Sequence, residues 1–187
     1  MLKEQRERRR QMAQSQNIDD AKAVDALTKA SDEAYGKYAN SCSHAVWYVL
    51  TQIVDKQTKW LDANHLVDFL SRDSGWKEVT VDDGWGLAQK GNVVIGGLKN
   101  PKSNGHVILI YPGEKIESGG YFYTYIDKKT KKPKTDKLRS HGRYPRALST
   151  SMGSWPGAMS KGDKTVWDPW ANDDTFEDVK FWAKSSQ

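Results

Sequence analysis

The sequence GHVILIY at residues 105–111 is the strongest indication of the fold of this chain. Five consecutive apolar or aromatic residues, from Val107 to Tyr111, follow a glycine and a histidine. A strand without a polar face is typical of one that is covered on both sides, whereas a half-buried strand alternates polar and apolar residues. The segment therefore predicts a strand in the core of the protein, buried on both faces.

Helices are predicted before this strand. The run CSHAVWYVLTQIVDK at residues 42–56 has five apolar residues at helical spacing, which predicts a core helix with a broad buried face. These residues are Val46, Val49, Leu50, Ile53 and Val54. A further helix is expected from Asp62 to about Ser71, because apolar residues recur there at intervals of three and four. They are Ala63, Leu66, Val67 and Leu70.

The N-terminal segment differs from the rest in composition. Residues 1–34 are rich in Glu, Lys, Arg, Gln and Ala, and only their second half carries apolar residues at helical spacing. We expect a charged lead segment followed by a helix that Gly36 ends. The predicted organisation is a charged helical N-terminal extension over residues 1–34 and one domain over residues 35–187.

Strands are predicted from residue 76 onward. KEVTV at 77–81 is expected to be an edge strand, and GNVVIGG at 91–97 a strand after a glycine turn. Pro112 and Gly113 are expected to turn the chain after the core strand. IESGGYFYTYI, at 116–126, is then predicted to be its antiparallel partner.

The remaining segments give weaker signals. DKKTKKPKTDK, at residues 127–137, is expected to be a solvated loop, with a binding role as the alternative. A short strand is predicted near Lys164 to Trp167 and a last helix from about Asp174 to Ala183. Helices first, then a mostly antiparallel sheet, is the order of an α+β protein.

Composition bounds the function. The formal net charge of +5 and the pI of about 9.1 suit an anionic partner, such as nucleic acid, a cell-wall polymer or an acidic protein. The longest apolar runs are far shorter than the roughly 20 residues that cross a bilayer, so no membrane span is expected. The basic N-terminus is not followed by an apolar segment, which predicts cytoplasmic synthesis without a signal peptide.

Cys42 is the single cysteine, which excludes an internal disulfide and a site built from several thiolates. Its predicted place is the first turn of a core helix, where the helix dipole and free backbone N–H groups favour thiolate. The polar neighbours Asn40, Ser41 and Ser43 lie where an oxyanion would need donors. We interpret Cys42 as a nucleophile; the alternative is a small buried hydrophobic residue.

His106 is the best candidate for the base. It opens the apolar core strand, where an imidazole is costly unless it faces a cleft. His44 is two residues from Cys42 on the same helix and would point away from it, so we interpret His44 as structural. His65 and His141 are expected at the surface.

Two blocks of this sequence resemble a known family. NSCSHAVWYVL, at residues 40–50, is similar to the cysteine motif of NlpC-type papain-like peptidases and CHAP amidases. QKGNVVIGGLKNPKSNGHVILIYPG, at 89–113, resembles their second block, in which Gly-His-Val opens a strand. The closest resemblance is to amidase effectors of type VI secretion, and it covers about residues 36–120. It implies a papain-like fold in which the cysteine helix packs on an antiparallel sheet that carries the histidine, with no cofactor and no metal.

The resemblance leaves the third catalytic residue open. Asn92 stands where an Asp commonly follows the turn glycine in the NlpC pattern. Glu117, on the next predicted strand, is our choice to accept the second imidazole N–H. Trp155, Trp167 and Trp170 are taken as exposed residues that could form a stacking wall for substrate, with core anchoring favoured for at least two of them.

The resemblance also implies the biological setting. Peptide amide bonds of peptidoglycan are the expected substrate, and the target-cell periplasm is the expected place of action. A protein without a signal peptide would reach it by a non-classical route, and the resemblance implies type VI secretion. A cognate immunity protein is then expected, and residues 1–34 are a candidate segment for binding a secretion adaptor.

Three alternatives stay open at this level. A nucleic-acid-binding module could use the arginine-rich start, the lysines of 128–137 and nearby aromatic residues. A hydrolase of the kind described above is expected to have no nucleic-acid partner. A catalytically silent protein could bind only the cell wall or an adaptor. A metal site of Cys42, His44 and His106 is disfavoured, because helical spacing splays the first two ligands.

Overall fold

A computed structural model describes residues 2–72 and 75–184 of the chain, which form an α+β protein. The helices are α1 (Leu2–Lys37), α2 (Cys42–Ile53), α3 (Ala63–Arg72), α4 (Val81–Ala88) and α5 (Asp173–Glu177), with a 3-10 turn at Pro156–Ala158. The strands are β1 (Trp76–Val79), β2 (Val94–Leu98), β3 (His106–Glu117), β4 (Phe122–Ile126), β5 (Pro133–Lys137), β6 (Arg143–Ser149), β7 (Ser160–Thr165) and β8 (Lys180–Lys184). Six strands form one sheet in the order β1-β8-β2-β3-β6-β7, and β4 and β5 form a separate hairpin.

Strand β3 lies in the interior of the sheet and is buried on both faces, as predicted. Val107 and Leu109 pack with the buried residues of α1, α2 and α3 on one face. Ile108 and Ile110 pack on the other face with residues of α4, β6 and β8. All four side chains are fully buried, and the paired strands in the described part of the chain are antiparallel. The apolar run of β3 therefore joins the two halves of the core.

Helix α1 is continuous across the predicted boundary at residue 34. Gly36 lies within its last turn and does not end it. Residues 3–19 are exposed, whereas Leu27 and Ala30 are buried in the core against the other helices. The second half of α1 therefore belongs to the packed domain. Among the described residues, no helix has the length and apolar character that a membrane crossing requires.

The prediction that residues 116–126 form the antiparallel partner of β3 is wrong. Pro112 and Gly113 do not turn the chain, since β3 continues to Glu117 and pairs with β6 on either side of an irregularity between Tyr111 and Ile116. Gly113 has a φ of +133°, so it accommodates a bulge within the strand. The expected loop at 127–137 is also wrong in part, because Pro133–Lys137 forms β5 and pairs with β4.

The prediction of a C-terminal helix from about Asp174 to Ala183 is also wrong. Helix α5 is short, and the chain then forms β8 between β1 and β2 in place of a helix reaching residue 183. Consecutive buried residues, Phe181, Trp182 and Ala183, fill both faces of this strand, and an apolar run of that kind has no periodicity that separates strand from helix. Strand β7 ends at Thr165, earlier than the predicted 164–167 strand.

Gly91 marks a place where two parts of the fold touch through their backbones. It has a φ of +81°, and a Cβ built there would lie 2.4 Å from the backbone carbon of Ala23 in α1. We expect Gly91→Ala to lower the free energy of unfolding by about 1–3 kcal/mol, because the helix backbone cannot move aside. Urea denaturation measures the loss.

Gly120→Ala is the matched control for this prediction. Gly120 has a similar φ of +83° but no atom within 4 Å of a built Cβ. It therefore reports the conformational strain without the steric contact. Equal losses of stability in the two variants would contradict the close approach of α1 to residue 91.

Candidate active site

The start of α2 and the start of β3 meet at a cleft of about 510 Å³. Five of the six predicted site residues line it, and they are Asn40, Cys42, Ser43, His106 and Trp155. The structure thus brings together the sequence around the start of α2 and the sequence around the start of β3. The sixth predicted residue, Glu117, lies elsewhere.

Cys42 is the first residue of α2 and is partly buried. Burial raises the pKa of its thiol above the ordinary value, and the backbone N–H groups of Val107 and Ser43 lower this pKa by a smaller amount. The helix dipole at this position by itself favours a thiolate. Desolvation outweighs that effect here, so the resting sulfur is protonated.

His106 is held by a chain of two hydrogen bonds. Its Nε2 lies 3.0 Å from Oγ of Ser149, and that hydroxyl donates to the carbonyl oxygen of Ala158 at 2.7 Å. A serine hydroxyl has one proton to donate. Because this proton is used on Ala158, Ser149 accepts from Nε2–H. The imidazole is therefore the Nε2–H tautomer, and its Nδ1 keeps a free lone pair.

The surroundings of His106 keep it neutral. Burial lowers the pKa of the imidazole from 6.5 to about 4. The ring of Trp170 covers it edge-on, with ring centroids 5.5 Å apart and planes at 72°. At neutral pH the site thus holds an uncharged thiol and an uncharged imidazole, rather than a thiolate–imidazolium pair.

Glu117 does not orient the imidazole. It is the last residue of β3, whereas His106 is the first, so roughly 35 Å of strand separates them. Its Oε2 accepts a hydrogen bond from Oγ of Ser140 at 2.5 Å, next to a different surface groove. The prediction rested on Glu117 following a turn, and it fails because β3 does not turn at Pro112.

Ser149 is the residue that orients the imidazole, and the sequence did not predict it. It ends β6, the neighbour of β3 that the sequence did not predict, and the register pairs Leu148 with Leu109. A serine in the stretch RALSTSMGS has no local feature that separates it from the other serines there. The β3–β6 pairing is the signal that would identify Ser149.

The loop before His106 is fixed to α3 by Asn64, another residue that the sequence did not reveal. Its side-chain amide donates to the carbonyl oxygens of Asn100 and Ser103 at 3.0 Å each, and its Oδ1 accepts from the Asn100 N–H at 2.9 Å. At Gly105 a Cβ would lie 2.5 Å from the same Oδ1. Helix α3 therefore sets where β3 and its histidine begin.

The walls of the cleft are aromatic. Trp60 is 45% exposed, and its indole N–H donates to Oγ of Ser43 at 3.2 Å, so the Ser43 hydroxyl positions this ring. Trp155 lines the cleft, and its indole N–H donates to the carbonyl oxygen of Asp168 at 2.8 Å. Asn40 is exposed at the cleft, in the turn before α2.

The other two predicted wall residues are not exposed. Trp167 is fully buried, and its indole N–H donates to Asp173 at 2.9 Å. Trp170 is partly buried against His106. Two of the three tryptophans therefore anchor the structure around the site, as the favoured alternative predicted, and only Trp155 among the three lines the cleft.

The remaining histidines have the expected structural places. His44 is stacked between Trp60 at 4.6 Å and Tyr38 at 5.7 Å between ring centroids, and its Nδ1 contacts Oγ of Ser41 at 2.7 Å. His65 and His141 are exposed. Within residues 2–72 and 75–184, no group of three His, Cys, Asp or Glu side chains converges to hold a metal ion.

Comparison of the sequence with protein-family models gave no match. Comparison with curated proteins gave none either.

The lowered pKa of His106 predicts a stability that depends on pH. The unfolded chain binds a proton at this residue near pH 6.5 and the folded chain near pH 4, so this contribution to stability is lost as pH falls from 6.5 to 4. We expect urea midpoints of His106→Gln to fall less than those of the wild type across this window. An unchanged dependence of the urea midpoint on pH in His106→Gln would contradict a neutral imidazole in the folded protein.

The raised pKa of Cys42 predicts its reactivity. The rate of alkylation by iodoacetamide should keep rising with pH beyond 9, because the protein holds the sulfur as thiol at lower pH. Mass spectrometry of the intact protein follows the single modification, with a short cysteine peptide as reference. A rate that is already constant below pH 7 would show a thiolate–imidazolium pair instead.

Proposed function

We propose that this chain is a papain-like cysteine hydrolase that cleaves peptide amide bonds of the bacterial cell wall. The observation that carries the proposal is the shared cleft of Cys42 and His106, in which Ser149 sets the imidazole tautomer that can accept a proton at Nδ1. A lone thiol at a helix start has no such partner unless the fold supplies one. The papain-like description of the fold is part of the same proposal.

The first half of the reaction forms a thioester. Sγ of Cys42 attacks the amide carbonyl carbon, and its proton moves to Nδ1 of His106 as the C–S bond forms. The backbone N–H groups at the start of α2 stabilise the oxyanion, and the exposed Asn40 amide lies at the same cleft to assist. The C–N bond then breaks, and the imidazolium returns the proton to the leaving amine.

The second half releases the acid. A water molecule gives a proton to Nδ1 of His106 and attacks the thioester carbonyl, and collapse of the intermediate expels the sulfur. The imidazolium proton returns to Cys42, so the enzyme ends as it began. Because the resting pair is neutral, both proton transfers take place during the reaction.

Cell-wall peptide as substrate is supported by the resemblance of residues 36–120 to NlpC-type and type VI amidases. Delivery by type VI secretion, action in the target-cell periplasm and a cognate immunity protein that covers the cleft belong to the same proposal. The exposed residues 3–19 of α1 offer a surface for a secretion adaptor. No cofactor or metal takes part in the proposed reaction.

Digestion of purified peptidoglycan tests this function. We expect the wild type to release peptide products, and we expect Cys42→Ala and His106→Ala to lower the rate by about a thousandfold or more, since each is needed for thioester formation. Ser149→Ala should lower kcat by about 10- to 100-fold with little change in KM, because it removes the group that fixes the tautomer.

Mass spectrometry of the digests identifies the bond that is cut. His65→Ala is the control, because His65 is exposed and lies outside the cleft lining. It should digest the substrate at the wild-type rate. Identical digests from the wild type and Cys42→Ala would overturn the proposal.

A further inference from the structure

The β4–β5 hairpin lies outside the main sheet and has a strongly basic sequence. Residues 122–137 contain six lysines and two aspartates, and all six lysines are exposed. The turn is nonetheless well formed, because Oδ1 of Asp127 accepts the backbone N–H groups of Lys129 at 2.9 Å and Thr130 at 2.6 Å. No ion pair in the described residues involves the four turn lysines, which are Lys128, Lys129, Lys131 and Lys132. The turn of the hairpin therefore has a defined conformation and presents four lysines that form no ion pair among the described residues.

One face of this hairpin carries a row of aromatic rings that reaches the cleft. Tyr123 and Tyr125 stack with centroids 5.7 Å apart, and Trp155 lies 5.3 Å from Tyr123. Trp155 lines both the catalytic cleft and a second groove of about 400 Å³, which Tyr123 and Thr124 also line. The two grooves therefore meet at one tryptophan.

Asp168 fixes the hairpin relative to the cleft. This buried carboxylate accepts hydrogen bonds from the Gly119 N–H at 2.8 Å and the Tyr121 hydroxyl at 3.0 Å, at the base of the hairpin. Its backbone carbonyl accepts the indole N–H of Trp155. Burial and the adjacent carboxylate raise the pKa of Tyr121, so that hydroxyl remains a donor. The aromatic row is therefore held in place before any ligand arrives.

We infer that this basic-aromatic groove, defined by Tyr123, Tyr125, Trp155 and the four turn lysines, binds the glycan strand of the substrate together with the acidic peptide branches that the strand carries. Sugar rings pack on aromatic faces, and the exposed lysines complement the carboxylates of the peptide branches along the strand. The strand would lie along the hairpin, and its peptide branch would enter the cleft past Trp155. The inference rests on the proposed function for the identity of the polymer.

The test measures binding with the inactive Cys42→Ala protein and purified peptidoglycan sacculi in a co-sedimentation assay. In one variant the four turn lysines are replaced by Gln; in a second, Tyr123→Ala removes one ring of the row. The matched control replaces Arg6, Arg8, Arg9 and Arg10 of α1 by Gln, which removes the same charge from another exposed segment. We expect the first two variants to bind at least about tenfold more weakly and the control to bind like the parent protein.

A second measurement uses the turn-lysine and α1-arginine variants with Cys42 intact. Cleavage of a short soluble stem peptide should stay at the wild-type rate, while digestion of sacculi falls with the binding. Equal losses in the turn and α1 variants would overturn the inference, as would unchanged binding or tighter binding of single-stranded DNA than of sacculi. If no protein, including the wild type, cleaves any peptide but sacculus binding still depends on the hairpin, the hydrolase proposal is wrong. The inference that the groove binds the cell wall is then still supported.

Discussion

The burial of β3 on both faces is the constraint on which the rest of the structure depends. Its four aliphatic residues need two separate apolar layers, which helices α1 to α3 and the residues around α4 and β8 provide. The layer that covers Val107 and Leu109 includes α2, so the N-terminus of α2 lies beside the start of the strand. Cys42 and His106 meet because the two elements that carry them must pack against each other.

Desolvation then determines the chemistry that this meeting allows. Desolvation raises the pKa of the thiol and lowers the pKa of the imidazole. Both groups are therefore uncharged at neutral pH. The Ser149–Ala158 hydrogen bonds orient the imidazole without adding a charge. A carboxylate in that position would favour imidazolium, whereas a serine whose proton is already used fixes only the tautomer.

The sequence predicts those parts of the fold whose patterns are local. The α2 face, α3 and the apolar run of β3 follow from spacing alone, and so do the positions of Cys42 and His106 at the ends of their elements. Strand β8 could not be separated from a helix, because Phe181 to Ala183 are buried on both faces. Ser149 could not be chosen over Glu117, because its place depends on a strand pairing between residues about forty positions apart.

The proposed chemistry requires a neutral pair in which Ser149 leaves Nδ1 of His106 free. Nuclear magnetic resonance of protein with ¹⁵N-labelled histidine tests it most directly, because the two ring nitrogens report protonation separately. We expect that His106 keeps a proton on Nε2 and none on Nδ1 at pH 7, and that it titrates near pH 4. A proton on Nδ1, or titration near pH 6.5, would contradict it.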